Sequence, residues 1–207
     1  MTTTIAAFDP STMTFGAVKL KEGDHRGSVP LKMPTLQVGA KDALVPSTYG
    51  VNPAFAENGR APLELLLNPA QEATVRDLET HVQKMFADNA RAWFKKDKTF
   101  VFKPMLRETE TGMVLKTKVV TDGPRATVVK LLTPDGKMQR EPGTLTSVNY
   151  GCEVVAYVQS SQLWFNTLDC TYGVALTAKA LFVKPGTDGP PPIDADALAL
   201  DAGFEYE

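Results

Sequence analysis

The sequence predicts a mainly β domain carrying one long helix, and three observations predict it. An N-cap signature stands at residues 68–71, an apolar stripe of helical period follows it, and that period changes from 3.6 to 2 beyond residue 95. The 207 residues, 43% hydrophobic and 22% charged, fit one globular domain or one domain with short extensions. They exclude a disordered chain, a collagen-like repeat and a large multidomain enzyme.

Residues 1–60 are rich in Gly and Pro and suggest short strands joined by turns, such as 15–20, 28–32 and 35–38. Pro62-Leu63-Glu64-Leu65-Leu66-Leu67 reads as a buried strand, stopped by Asn68-Pro69. Asn68 suits an N-cap, Pro69 the first helical position and Gln71 the capping-box partner. From there Val75, Leu78, Val82, Met85, Phe86, Asn89 and Trp93 recur at three- and four-residue steps, so a helix over about 69–95 turns one stripe to the core. His81 borders that stripe, where a lone histidine is a boundary residue far more often than a ligand. Five strand candidates follow at 100–103, 113–120, 126–132, 152–158 and 173–183. Asp135-Gly136 suits a tight turn with the segment after it pairing back. In 113–120 the alternation puts Val114, Lys116, Lys118 and Val120 on one face and Met113, Leu115, Thr117 and Val119 on the other. From about residue 184 the chain turns Pro-rich and acidic, the composition of a flexible tail.

Two cysteines, Cys152 and Cys170, make neither a disulfide framework nor, with His25 and His81, a structural zinc set; both are expected reduced and packed. No apolar run nears the roughly 20 residues needed to cross a bilayer, and the opening residues lack a leader pattern. A soluble protein without membrane contact, acting inside the cell, is the expectation. The sequence has no P-loop, dinucleotide fingerprint, HExxH or nucleophile elbow. The pairs Glu108/Glu110 and Asp194/Asp196 read as solvated turn and tail chemistry rather than metal ligands. A non-enzymatic protein without a cofactor follows.

Charge gives the functional clue. After Lys184 the chain has six acids and no basic residue, while residues 84–140 hold thirteen Lys and Arg against six acids. Such a concentration suggests an anionic partner, although lysines on solvated strand faces give a similar excess. Cations along a phosphate backbone and rings beneath its bases are what single-stranded nucleic acid requires. The candidate cations are Lys95, Lys96, Lys98, Lys103, Arg107, Lys116, Lys118 and Lys130. Among nine candidate rings (Trp93, Phe94, Phe100, Phe102, Tyr150, Tyr157, Trp164, Phe165 and Tyr172) Tyr157 and Trp164 stand out, Trp164 because the polar stretch 159–162 marks an exposed turn before it. Trp93, on the helix stripe, belongs to the core.

The succession LLLNPAQEATVRDLETHV, a lysine-bearing strand, ATVVKLLTPDGKM and VVAYVQSSQLWFNTLDCTYGVALTAKALFV resembles the single-stranded DNA-binding proteins of short-tailed phages and similar proteins of large double-stranded DNA viruses. The resemblance covers roughly residues 62–184 and the tail's character. It implies an OB-fold-like five-stranded barrel with an intervening helix over 62–184 and a mobile acidic tail over 185–207; residues 1–61 find less support in the pattern and are expected as added strands packed on the barrel. It further implies sequence-tolerant binding of single-stranded DNA in replication, recombination or repair, at sites of viral DNA replication in the host. The tail, through Asp194, Asp196, Asp201, Phe204 and Tyr206, would then compete with DNA and contact a polymerase or helicase. Phage tails of this kind are longer and close on an aromatic, whereas Phe204 and Tyr206 lie just inside Glu207. A homodimer is compatible with this reading. The competing reading is a virion or capsid-associated β protein, which would bind a protein lattice and show little salt-dependent affinity for DNA.

Overall fold

Residues 26–38, 153–166 and 171–184 run side by side as three long antiparallel ribbons, and each is interrupted once, at nearly the same level. The computed structural model describes residues 2–20, 23–94, 99–133, 138–184 and 186. In chain order the strands before the helix are β1 (Thr2–Thr4), β2 (Thr14–Phe15), β3 (Arg26–Lys32), β4 (Thr35–Val38), β5 (Val45–Pro46) and β6 (Arg60–Leu66). The helix α1 (Pro69–Phe94) follows. After it come β7 (Val101–Lys103), β8 (Leu106–Thr109), β9 (Gly112–Val120), β10 (Val128–Leu132), β11 (Met138–Pro142), β12 (Glu153–Gln159), β13 (Gln162–Asn166), β14 (Thr171–Val174) and β15 (Leu176–Lys184).

The interruptions divide the ribbons between two mixed sheets. On one side β4, β12 and β15 anchor a sheet that β1, β5, β6, β8, β9, β10 and β11 extend; on the other β3, β13 and β14 continue into a sheet closed off by β2 and β7. The mainly β class with one long helix is as expected. Among the described residues the strands form two mixed sheets and no closed barrel. The first 61 residues supply strands to both sheets, β4 pairing β12 and β3 pairing β13. The segment 173–183, expected as one strand, is broken at Ala175, and β8 and β13 were not foreseen as separate strands. Ser160, expected on an exposed turn, is buried at the bend and its hydroxyl donates to the Gln162 carbonyl at 2.9 Å.

One core fills the space between the sheets and α1. Val29 and Leu31 from β3, Leu36 and Val38 from β4, Leu163 and Phe165 from β13 and Leu181 and Val183 from β15 meet Val75, Leu78, Val82 and Phe86 of the helix in it. Phe86 stacks on Tyr172 with centroids 3.6 Å apart and meets Trp93 edge-on at 5.7 Å. Burial holds the Tyr172 hydroxyl above its ordinary pKa.

The helix begins as its sequence requires. The Gln71 N–H donates to Asn68 Oδ1 at 2.9 Å and the Asn68 N–H donates to Gln71 Oε1 at 3.0 Å, a reciprocal capping box. His81 is half-buried with Phe15 6.3 Å away, on the border of the stripe. The helix also carries a buried carboxylate, Glu79, which accepts from the backbone N–H groups of Met105 and Leu106, the latter at 3.1 Å. It ties α1 to the link between β7 and β8. No helix of the described residues is long and apolar enough to cross a membrane.

Two predictions follow from this packing. Glu79→Ala leaves two buried N–H groups unpaired, at about 1–3 kcal/mol each, and should lower the unfolding free energy by about 2–4 kcal/mol. Glu79→Gln, which keeps an acceptor, should lose less; equal urea midpoints for wild type and Glu79→Ala would show that the tie contributes nothing. The second concerns Cys152, whose thiol burial pushes up to about 11, with the Ser47 hydrogen bond acting the other way. The folded chain keeps that proton longer than the unfolded chain. The stability it contributes is therefore complete below the ordinary thiol value of 9.0 and is lost as pH climbs through about 11. Urea unfolding should show a fall across that window that is smaller in Cys152→Ala; identical falls would exclude the assignment.

Candidate nucleic-acid interface

The register of the smaller sheet lines up one cross-strand row: Lys19, Ser28, Trp164, Gly173 and Lys103. Lys19 bridges Ser28, Ser28 pairs Trp164, Trp164 pairs Gly173, and Gly173 pairs Lys103 in the parallel β14–β7 ladder. Directly paired residues point to the same face, so a half-buried indole stands in the middle of the row with an exposed lysine at each end. At about 4.8 Å per strand, each lysine backbone lies about 10 Å from that of Trp164. The inward face of the same strands holds Val29, Leu163, Phe165 and Tyr172 in the core, which assigns the row to the outward face.

Gly173 makes room for the ring. A Cβ there would lie 2.9 Å from Trp164 Cζ2 and 3.0 Å from the Lys103 carbonyl oxygen, so the indole rests against bare backbone. The neighbouring row on this face, Arg26, Asn166, Thr171 and Val101, adds an exposed guanidinium and an exposed valine. Lys32, also exposed, lies farther along β3. None of Lys19, Arg26, Lys32 and Lys103 makes an ion pair among the described residues.

The larger sheet carries the remaining cations. On β9, Lys116 and Lys118 are exposed while Leu115, Thr117 and Val119 are buried, as the alternation requires. Val114 departs from it. It shares the lysine face yet is fully buried, between Arg107 of β8 and Leu66 of β6 in the register. Arg107 is held by a two-point ion pair to Glu64, its Nε donating to Oε1 at 3.2 Å and its Nη2 to Oε2 at 2.6 Å. That places Arg107 in a fixed fork within the sheet, and Lys116 stands opposite the same Glu64. On β10, Lys130 is exposed with its Nζ 5.9 Å from the centroid of Phe182. Tyr157 of β12 meets Phe182 edge-on at 5.7 Å. Lys184 pairs with Glu153 at 2.8 Å.

Of the sequence-predicted residues, Trp164 and Lys103 therefore share one row on the smaller sheet. Tyr157, Lys130, Lys116 and Lys118 lie on the outward side of the larger sheet, and Arg107 is engaged by Glu64. Lys95, Lys96 and Lys98, and the tail residues Asp194, Asp196, Asp201, Phe204 and Tyr206, lie outside the described residues. The sequence reading missed Lys19, Ser28, Arg26 and Phe182. Phe182 had a usable signal, since it alternates with the inward Leu181 and Val183. Lys19 and Ser28 had none, because only long-range register brings them to Trp164. Trp93, expected in the core, packs edge-on against Phe86 and Phe94. Among the described residues no three His, Cys, Asp or Glu gather as metal ligands.

No protein-family model matches this chain, and no curated protein matches it by sequence. Solved structures do. The single-stranded DNA-binding protein from bacteriophage Enc34 in complex with single-stranded DNA aligns with 84% of this chain and 97% of its own at 12% identity and a TM-score of 0.43. The gp2.5 single-stranded DNA-binding protein of bacteriophage T7 aligns with 73% of this chain and 94% of its own, at 13% identity and a TM-score of 0.49. The Enc34 protein in another solved structure aligns with 91% of this chain and 98% of its own at 12% identity, with a TM-score of 0.50, so the likeness is one of fold over nearly the whole of both chains.

Proposed function

We propose that this protein binds single-stranded DNA without strict sequence preference, and that it does so in replication, recombination or repair of a viral genome. The observation that carries this is the row Lys19, Ser28, Trp164, Gly173, Lys103 on an outward sheet face. A half-buried indole backed by a glycine offers a platform to any base, because every base has a π-face. The flanking ammonium groups suit the phosphates on either side of a stacked nucleotide. Duplex DNA keeps its bases paired and stacked inside, so the ring would discriminate for the single strand while the lysines would not. The shared fold with a phage protein named for single-stranded DNA binding supports the same reading.

The acidic segment after Lys184 is the proposed modulator. Six carboxylates without a basic neighbour, covalently attached to a body with more basic than acidic residues, compete for the cations at an effective concentration of about millimolar order. Asp194, Asp196 and Asp201 supply charge to that competition, and Phe204 and Tyr206 supply rings that could replace a base or engage a replication protein such as a polymerase or helicase. The site of action would be the infected cell, wherever the viral DNA is copied.

Fluorescence titration with oligo-dT, duplex DNA and RNA tests the main reading. Single strands should bind more tightly than duplex; for about four to six phosphate contacts, log affinity should fall with log salt at a slope of about −3 to −4. Trp164→Ala should cost about 1–3 kcal/mol of binding, whereas Trp93→Phe should leave affinity unchanged. Equal affinity for duplex and single strand would contradict the proposal. Truncation after Gly186 should tighten single-strand binding, with the larger gain at low salt where charge is least screened. Unchanged affinity at every salt concentration would leave the tail no part in DNA binding.

A further inference from the structure

We infer that the outward face of the larger sheet holds a second base-stacking station, formed by Phe182 and Tyr157 with Lys130, so that one single strand lies across both sheets. This rests on the proposed binding of single-stranded DNA and specifies where and how far the strand runs.

Tyr157 repeats the arrangement around Trp164. It is half-buried and pairs Gln37 on one side and Ala180 on the other, which in turn pairs the exposed Val128, so its neighbour on the β15 side is again a very small side chain. In the adjacent row Lys130 pairs Phe182, and the ammonium lies over that ring at 5.9 Å. The two rings meet at 62°, which leaves them as two walls of one aromatic site rather than a closed stack. Val128 is 52% exposed beside them, an apolar surface next to an ammonium that has no ion pair among the described residues. A nucleobase with its phosphate matches that combination of ring, apolar edge and cation.

The strand geometry connects the stations. Tyr157 and Trp164 belong to the same ribbon, seven residues apart, and in a regular strand an odd separation would put them on opposite faces. The bend removes that conflict. Ser161 and Gln162 are successive exposed residues between the buried Ser160 and Leu163, and the pairing to the β3–β4 ribbon shifts there, from Val158 opposite Leu36 to Gln162 opposite Pro30. The one-step change of phase turns both aromatics outward. Their separation is at most about 23 Å along the ribbon at 3.3 Å per residue, compatible with the roughly 4–16 nucleotides that one OB fold covers.

The test is the affinity of the full chain for oligo-dT of about 16 nucleotides, the upper limit of that range, and for the thymidine dinucleotide, which lies below its lower limit. Wild type is compared with Phe182→Leu, Trp164→Leu and the double variant, since leucine keeps apolar burial and removes the ring. Thermal unfolding checks each fold, and Tyr157→Leu replaces Phe182→Leu if the latter does not fold. On the long strand Phe182→Leu should weaken binding about 5- to 150-fold, and the double variant should lose about the product of the single losses. On the short strand, which can occupy only one station, the losses should not multiply. Full affinity of Phe182→Leu for the long strand, with Trp164→Leu weakened, would overturn the second station and leave single-stranded DNA binding standing. Losses that multiply equally on both lengths would overturn the shared strand path. Wild type binding neither oligonucleotide would overturn the functional reading itself.

Discussion

Three ribbons must serve two sheets around one core, and everything placed on the surface depends on how they bend. Each ribbon changes sheet at its middle, near Pro34, Ser160 and Ala175, while the hydrogen-bond ladder resumes on the far side. A bend in three adjacent strands would expose or bury the wrong side chains unless the phase were corrected locally. The buried Ser160, with its hydroxyl satisfied by Gln162, makes that correction in the middle ribbon without leaving an unpaired polar group. The inward residues on both sides of the bend then feed one core, and the outward residues form the faces that carry the exposed lysines and the half-buried rings.

Electrostatics sorts the cations that sequence alone presents as equivalent. Glu64 fixes Arg107 and Glu153 engages Lys184, so those two serve the sheet's own cohesion. Lys19, Lys103, Lys118 and Lys130 are exposed, and no carboxylate among the described residues forms an ion pair with them. A second splice holds this arrangement together. The edge of β15 is shared by β9 and β10, and the Thr127 hydroxyl joins them, donating to the Ala178 carbonyl at 2.8 Å and accepting from the Val120 N–H at 2.9 Å. The lysines of β9 and β10 are thereby held on one surface although their strands never pair with each other.

Local signals were legible and long-range ones were not. The helix, its reciprocal cap at Asn68 and Gln71 and its core stripe follow from spacing within a few residues, and so does the outward placement of Lys116 and Lys118. The strand read at 62–67 was equally plain, and it runs over Arg60–Leu66. Glu79 was readable only in part: its position between Val75 and Val82 puts it on the stripe, but nothing nearby announces that Met105 and Leu106 supply its partners. Register defeats sequence reading more thoroughly. The row through Trp164 draws on four strands and one isolated bridge spread over residues 19–173, and Arg107 meets a glutamate 43 positions away. The buried Val114 is of the same kind, since its cover comes from neighbouring strands and not from its own alternation.

Glu79 has a consequence for engineering by transplantation. Its carboxylate grips the backbone immediately after Lys103 and Pro104, so the outermost cation of the Trp164 row is moored to the helix behind the sheet. A graft that moved the sheet face to another scaffold without α1 would carry the tryptophan but hold β7 only by its short ladder to β14, without the anchor just beyond Lys103. The transferable unit is therefore the face together with the carboxylate that moors it, and the helix that carries Glu79 lies in the chain between the strand of Ser28 and the strand of Lys103.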